Sequence, residues 1–455
     1  GLGEKTFKEI MRDQILRELG GIFGVREACA EEFDAGQAVP PRRYDPLTLD
    51  LDGDGIETIA ASMTNPILFD HDGDGLKTGT GWIKPDDGFL VMDRNSNGTI
   101  DNGTELFGDS TPLYEGGTAV DGFAALAQED TNPDGIINNL DLNWTNLRVW
   151  RDLNSDGISQ AGELLTMDQA GIAELNVSSI AHSQVLANGN QIADLGTYTR
   201  TNGTTATMGE VSDMADINLT IDTFNREFPD AIPVAEDVAV LPDMEGSGLV
   251  RDLQEAATIS PFLKNVLAQY SAATTRQEQM ALIDQLLYFW ANTSGLAATM
   301  ESRDPDNFLI RYDRFGSVVR SYESGGYVYD SGSGGTGGGI GVYVPDLENE
   351  SLTDSYRALI AQWSMKLHIL ESFNGRYFFT FPGETQDGPS AVIGISTNAS
   401  GGGAVGIPTA QMLVINFDQR QLDLLQQSYD ALRESVYESL FYQTRFETVF
   451  VPLLD

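Results

Sequence analysis

Residues 130–141 read DTNPDGIINNLD. A twelve-residue calcium loop of the EF-hand kind takes oxygen donors from positions 1, 3, 5, 7, 9 and 12, with glycine at position 6 for the sharp turn. Asp130, Asn132, Asp134, the Ile136 carbonyl, Asn138 and Asp141 fill those positions in order, with Gly135 at the turn. DLNSDGISQAGE (152–163) repeats the pattern with Asp152, Asn154, Asp156, Gly157 and a closing Glu163, although Ile158 comes one place before the usual apolar position. DRNSNGTIDNGTE (93–105) supplies Asp93, Asn95, Asn97, Gly98 and Asp101, with Glu105 one place late. Two further runs, Asp50, Asp52, Asp54 and Asp70, Asp72, Asp74, share the first half of the pattern without the closing acid. Each follows a short apolar, strand-like stretch (47–51 and 67–69), and each reads either as a half-site sharing an ion or as a plain acidic turn. One such run would mean little. The three fuller loops together predict several bound Ca2+ ions.

Working outward, residues 45–163 hold 23 acidic side chains against five basic ones, and the 455-residue chain holds 68 against 27, a net charge of −41. That balance argues against nucleic acid as a partner, which requires clustered Lys and Arg. No apolar run reaches the length of a membrane-spanning helix. Cys29 is the sole cysteine, which rules out an intrachain disulfide and a cysteine-based zinc site. Three scattered histidines (His71, His182, His368) make a transition-metal centre a poor fit, whereas carboxylates suit a hard cation. The chain begins with Gly1 and carries no signal peptide, so it reads as a piece of something larger.

The pattern predicts an α+β fold: a calcium-loaded module with EF-hand-like loops and small β-sheets, then a mixed helical and β C-terminal region. We divide it into an N-terminal helical arm (1–45, with an amphipathic helix over 7–23), the calcium-binding module (46–225), a helical region (226–300) and a mixed region (301–455). Hairpin turns are expected at Asn188-Gly189 and Asn202-Gly203. Helices are expected over 251–268, 276–291, 354–373 and 418–446. Strands are expected within 308–344 and at 377–381, 391–395 and 412–415, and the glycine-rich stretch 331–341 reads as a linker.

Asp45-Pro46 stands directly before the first acidic run; the only other Asp-Pro pair is Asp304-Pro305. The dipeptide has special chemistry. The Asp carboxyl reaches its own main-chain carbonyl carbon, closing a five-membered anhydride and expelling the proline nitrogen. Well-oriented intramolecular attack can be worth ~7–11 kcal/mol. A fold then has only to fix the Asp rotamer, polarise the carbonyl and protonate the nitrogen.

The run YDPLTLDLDGDGIET (44–58) resembles the start of the self-processing module of FrpC-type RTX proteins. The likeness continues through LFDHDGDGLKTGTGW (68–82), DDGFLVMDRNSNGTIDNGTELFGD (86–109) and LRVWRDLNSDGISQAGEL (147–164), so it covers roughly 45–225. The resemblance implies calcium-triggered autocatalytic cleavage after Asp45, a single-turnover event that leaves Pro46 as a new N-terminus. It further implies capture of the anhydride by water or by a lysine, the latter giving an Asp–Lys isopeptide bond to another protein. A secreted or cell-surface bacterial setting, with cleavage after export into high calcium, follows by the same association. The family's Gly-Gly-x-Gly-x-Asp repeats are absent from the sequence. For the groups that polarise the carbonyl or deliver the proton, the residues leave Asp50, Asp52, Tyr44 and a calcium ion open. His71, the nearest imidazole, reads as a polar surface residue. The six lysines (Lys5, Lys8, Lys77, Lys84, Lys264, Lys366) leave self-ligation and a foreign donor equally open. The rival readings are a non-catalytic calcium-stabilised adhesin segment and a chain whose main role lies in residues 226–455.

Overall fold

The computed structural model describes residues 44–205, 213–303, 309–321, 352–378, 395–397 and 412–445. The 7–23 helix, residues 1–43 of the N-terminal arm, the second Asp-Pro pair and the 331–341 linker lie outside the described residues. The fold is α+β, with several small, largely antiparallel sheets and separate helices.

Seven short strands build the principal sheet: β1 (Leu47–Leu49), β2 (Gly88–Met92), β3 (Leu147–Trp150), β4 (Leu164–Thr166), β5 (Ile180–Val185), β6 (Gln191–Gly196) and β7 (Met214–Asn218). Their spatial order is β5-β6-β7-β1-β2-β3-β4, and every neighbouring pair is antiparallel. The strand that follows Asp45-Pro46 is therefore central in the sheet. It is clamped by β7 (Leu47 opposite Asp216) and by β2 (Leu49 opposite Gly88).

Both faces of this sheet are covered, as the sequence of β2 requires. Successive side chains point to opposite faces, and GFLVM is apolar throughout. Phe89 and Val91 enter a core with Trp82, Trp150 and Ile217, while Leu90 and Met92 enter another with Leu47, Phe107 and Phe123. Phe123 belongs to α1 (Gly122–Ala127), capped by the Asp121 carboxylate on Ala124 N–H. The hairpin between β5 and β6 turns at Asn188-Gly189, where Gly189 has φ +88°, and Asn202-Gly203 makes a second turn. Strand pairing continues past β7: Ile221–Glu227 pairs with Lys77–Thr80.

The C-terminal elements pack around a separate core of residues from Val238 to Leu440. The expected helix over 251–268 is in fact two, α2 (Leu253–Ile259) and α3 (Pro261–Ala272). Ser260 precedes a proline and adopts extended backbone, so one helix ends and its hydroxyl caps the next. Helices α4 (Arg276–Ala291), α5 (Asp354–Asn374) and α6 (Gln419–Thr444) follow the expected periodicity. Strands Leu309–Phe315 and Met412–Phe417 pair in parallel, which demands a long crossover, and α5 lies within it. Of the strand expected at 377–381, the described residues 377–378 are irregular; of that expected at 391–395, Ile395–Thr397 is a strand. No helix among the described residues is long and apolar enough to cross a membrane.

Candidate functional site

The backbone on both sides of Asp45 is held firmly. Leu219 N–H donates to the Tyr44 carbonyl (2.7 Å), Ile217 N–H to the Pro46 carbonyl (3.3 Å) and Leu47 N–H to the Phe107 carbonyl (2.7 Å). Tyr44 is buried, its hydroxyl 3.1 Å from Asp72 Oδ2 and its ring stacked on His71 at 4.1 Å. His71 is thus not the surface residue that its polar neighbours imply. It is 2% exposed, wedged between Tyr44 and Phe69, with Nε2 3.0 Å from the Thr80 hydroxyl. The acidic run 70–74 therefore touches the residue directly before Asp45.

Asp45 itself sits against residues 108–109. Asp109 N–H donates to Asp45 Oδ1 at 2.6 Å, which fixes the carboxyl rotamer. Gly108 lies over the Asp45 carbonyl: a Cβ there would stand 2.9 Å from its oxygen, 3.3 Å from its carbon and 3.3 Å from Asp45 Oδ1. Only glycine leaves that face of the peptide group open.

Two carboxyls that the sequence reading did not single out complete the surroundings. Asp109 is 4% exposed and Asp216, on β7, is 1% exposed. Gly122 N–H donates to Asp216 Oδ2 (3.0 Å), while Asp216 Oδ1 is buried without a hydrogen-bond partner. Burial, then the charges of Asp216 and Asp109, push the Asp45 carboxyl well above its usual range. Burial likewise pushes Asp216 well above, with Asp121, Asp109 and Asp194 adding in the same direction. A signal for Asp216 was present: an acid flanked by the apolar Met214, Ala215 and Ile217 in the strand MADIN, opposite Leu47 in the register. Asp109 ends the quoted block 86–109 but carries no local pattern of its own.

Linkage gives the sign of the pH dependence. The folded chain holds protons on Asp45 and Asp216 above the usual carboxylate value near 4. Their stabilising contribution is complete below that value and is lost as pH rises through the raised folded values. The calcium-free chain is expected to unfold at lower denaturant concentration at pH 7 than at pH 5. Asp216→Asn should flatten that slope, and an unchanged slope would contradict the raised value.

The acidic loops share one local geometry. In the three fuller loops the first aspartate accepts two loop N–H groups: Asp93 from Asn97 and Gly98, Asp130 from Asp134 and Gly135, Asp152 from Asp156 and Gly157 (2.8–3.2 Å). The closing acid folds back onto each loop. Glu105 accepts from Arg94, Asn95 and Asp101, Asp141 from Thr131 and Asn138, and Glu163 from Leu153 and Gln160. Between them, Asn95 and Asn97 donate to Asp101, Asn132 to Asp134 and Asn154 to Asp156. In the two shorter runs, Asp50 accepts from Gly53 and Gly55, and Asp70 from Gly73 and Gly75. Asp50, Asp52 and Asp54 bring carboxylate oxygens within 4.8 Å of one another, as do Asp70, Asp72 and Asp74. Donors that are all oxygen, several of them carboxylate, suit calcium or magnesium and not a softer metal. The loops tie into the core as well: Trp82 Nε1 donates to Asp152 Oδ2 at 2.9 Å.

Residues 47–213 match the family model of the SPM domain. The chain is 50% identical over 250 residues to the iron-regulated protein FrpA of Neisseria meningitidis serogroup C. That alignment covers 55% of this chain and 22% of the relative, so the chain spans about a fifth of that protein's length.

Proposed function

Because residues 47–213 are an SPM domain of the kind carried by FrpC-type RTX proteins, we propose that the chain cleaves its own Asp45-Pro46 bond when calcium organises the module. The observation that carries this reading is the placement of Asp45: its carboxyl is fixed by Asp109 N–H, and Gly108 leaves its carbonyl face open. The bond lies immediately upstream of the matched span, at the entrance to the central strand.

Residues 44–46 are held by backbone bonds to Leu219 and Ile217, so the peptide group cannot turn away from its own side chain. The Asp45 carboxylate adds to the Asp45 carbonyl carbon, the C–N bond to Pro46 breaks, and the electron pair of that bond goes to the nitrogen. We assign the proton that the nitrogen needs to Asp216, whose buried Oδ1 lacks a partner and whose strand is bonded to Pro46 through Ile217. The products are a cyclic aspartyl anhydride at residue 45 and a free Pro46 amine. Water then opens the anhydride, and the proton released restores Asp216. A lysine ε-amine attacking in place of water yields the isopeptide bond. All four described lysines are already engaged: Lys77 with Glu227, Lys84 with Glu57, Lys264 with Asp237 and Lys366 with Gln426. That leaves Lys5, Lys8 or a lysine on a second protein as the acceptor.

Calcium would be held by Asp93, Asn95, Asn97, Asp101 and Glu105, by Asp130, Asn132, Asp134, Asn138 and Asp141, by Asp152, Asn154, Asp156 and Glu163, and by the two shorter runs. It supplies the positive charge that so many converging carboxylates need. Tyr44 links that charge to the bond, because its hydroxyl rests on Asp72. A secreted or cell-surface location, with cleavage after export into high calcium, fits this dependence.

The test is the purified chain held with calcium or with chelator, read on a denaturing gel with N-terminal sequencing. A fragment beginning at Pro46 in calcium alone is expected, and an intact chain after long incubation in calcium favours the purely structural reading. Gly108→Ala is expected to slow the cleavage at least tenfold, about 1.4 kcal/mol, because its methyl would press on the Asp45 carbonyl. Loss of the full-length band over time measures it, and a wild-type rate would remove the argument for an open carbonyl face.

A further inference from the structure

A sixth acidic cluster lies outside every loop described above. Glu57 precedes the strand Thr58–Ile59, and Asp86 and Asp87 precede β2. Antiparallel pairing of Thr58 with Ile83 and of Ile59 with Trp82 brings the two segments together. Lys84 N–H donates to the Glu57 carbonyl (3.0 Å) and Glu57 N–H to Asp87 Oδ2 (2.9 Å), so backbone bonds fix the cluster from both sides. One carboxylate oxygen from each of Glu57, Asp86 and Asp87 lies within 4.8 Å of the others.

Acidic clusters are common on protein surfaces, but this one is not a solvated turn. Asp87 is 0% exposed. Glu57 Oε2, Asp86 Oδ1 and Asp87 Oδ1 are all buried and have no hydrogen-bond partner. Buried acceptors are nearly always satisfied, and one unpartnered carboxylate oxygen on each of three clustered residues calls for a shared electrophile. Water could donate to two of them but would leave the charge. The local charge count also points to a cation. Lys84 is paired with Glu57 through the other oxygen, Oε1, and Arg151 donates to the Pro85 carbonyl (2.9 and 3.1 Å). Three carboxyls facing one paired ammonium leave the cluster short of positive charge.

We propose that Glu57, Asp86 and Asp87 form a binding site for a divalent cation of the hard, oxygen-seeking class, such as calcium. The pairing of Leu49 with Gly88 sets Asp87 beside Asp50, so the site adjoins the first acidic run and pins the turn that follows β1. It shares no residue with the loop sites or with the scissile bond.

The test counts ions on the full chain. Calcium bound per chain at saturation is measured by equilibrium dialysis for wild type, Glu57→Gln and Asp86→Asn, with circular dichroism as the check on folding. The folded variants are expected to bind one ion fewer than wild type, or to bind it at least tenfold more weakly. A folded variant with the full count at wild-type affinity overturns the proposal. Should neither variant fold, carbodiimide labelling of the wild-type chain decides. Glu57 and Asp86 are expected to be modified in chelator and protected by calcium, with the exposed Asp354 labelled equally in both. Equal labelling of all three overturns the site.

Discussion

Asp45→Ala is expected to leave the chain intact under calcium conditions that split wild type completely. No other group on the chain can take its part: the attacking oxygen and the carbonyl belong to the same residue, and the gain from that proximity is ~7–11 kcal/mol. Losing it costs the whole reaction, on the order of 10⁵-fold or more. The substitution removes a partly buried carboxyl whose charged form the fold already disfavours, so calcium binding and folding should survive. Residual cleavage at the same bond in the alanine variant would mean that water or another carboxylate attacks instead. Asp45→Glu is an informative companion, because a six-membered anhydride forms less readily and the bond to Asp109 N–H would be displaced.

Asp216→Asn is expected to lower the cleavage rate by two to three orders of magnitude without unfolding the chain. General acid catalysis contributes ~10²–10⁴-fold, and the amide keeps the acceptor that Gly122 N–H uses. Asp45 must be ionised to attack while Asp216 must be protonated to donate, and both carboxyls are pushed above the usual range. The wild-type rate should therefore follow a bell-shaped pH profile, with both limbs belonging to the pair and set above the ordinary carboxylate range. Asp109, Asp121 and Asp194 act on Asp216, and Asp109 acts on Asp45 as well, all in the same direction. In Asp216→Asn the alkaline limb should vanish. A variant that is slow but keeps the wild-type profile would make Asp216 a structural residue only.

Much of the fold is legible along the chain because local chemistry decides it. The glycines after the paired aspartates, the Asn-Gly turns and the long apolar periodicities of α4, α5 and α6 each need only neighbours in sequence. The break at Ser260-Pro261 was legible too, and the periodicity that spans it masked the proline. The candidate site is less legible, because it is assembled across strands. Asp45 lies 64 residues from Asp109 in the chain, and Asp216 is more distant still; they meet only when β1 inserts between β7 and β2. His71 was misread for the same reason: its neighbours in sequence are acidic, but Tyr44 and Phe69 enclose it in space. The cluster of Glu57, Asp86 and Asp87 has no spacing pattern at all, since a strand pairing creates it.

The central claim is that Asp45 turns upon its own carbonyl. Cleavage carried out in 18O-labelled water tests it most directly, followed by mass spectrometry of the peptide that ends at residue 45. An anhydride can be opened at either carbonyl, so the account predicts label in the Asp45 side-chain carboxyl as well as in the new C-terminal one. Label confined to the C-terminal carboxyl would mean direct hydrolysis and would contradict the account.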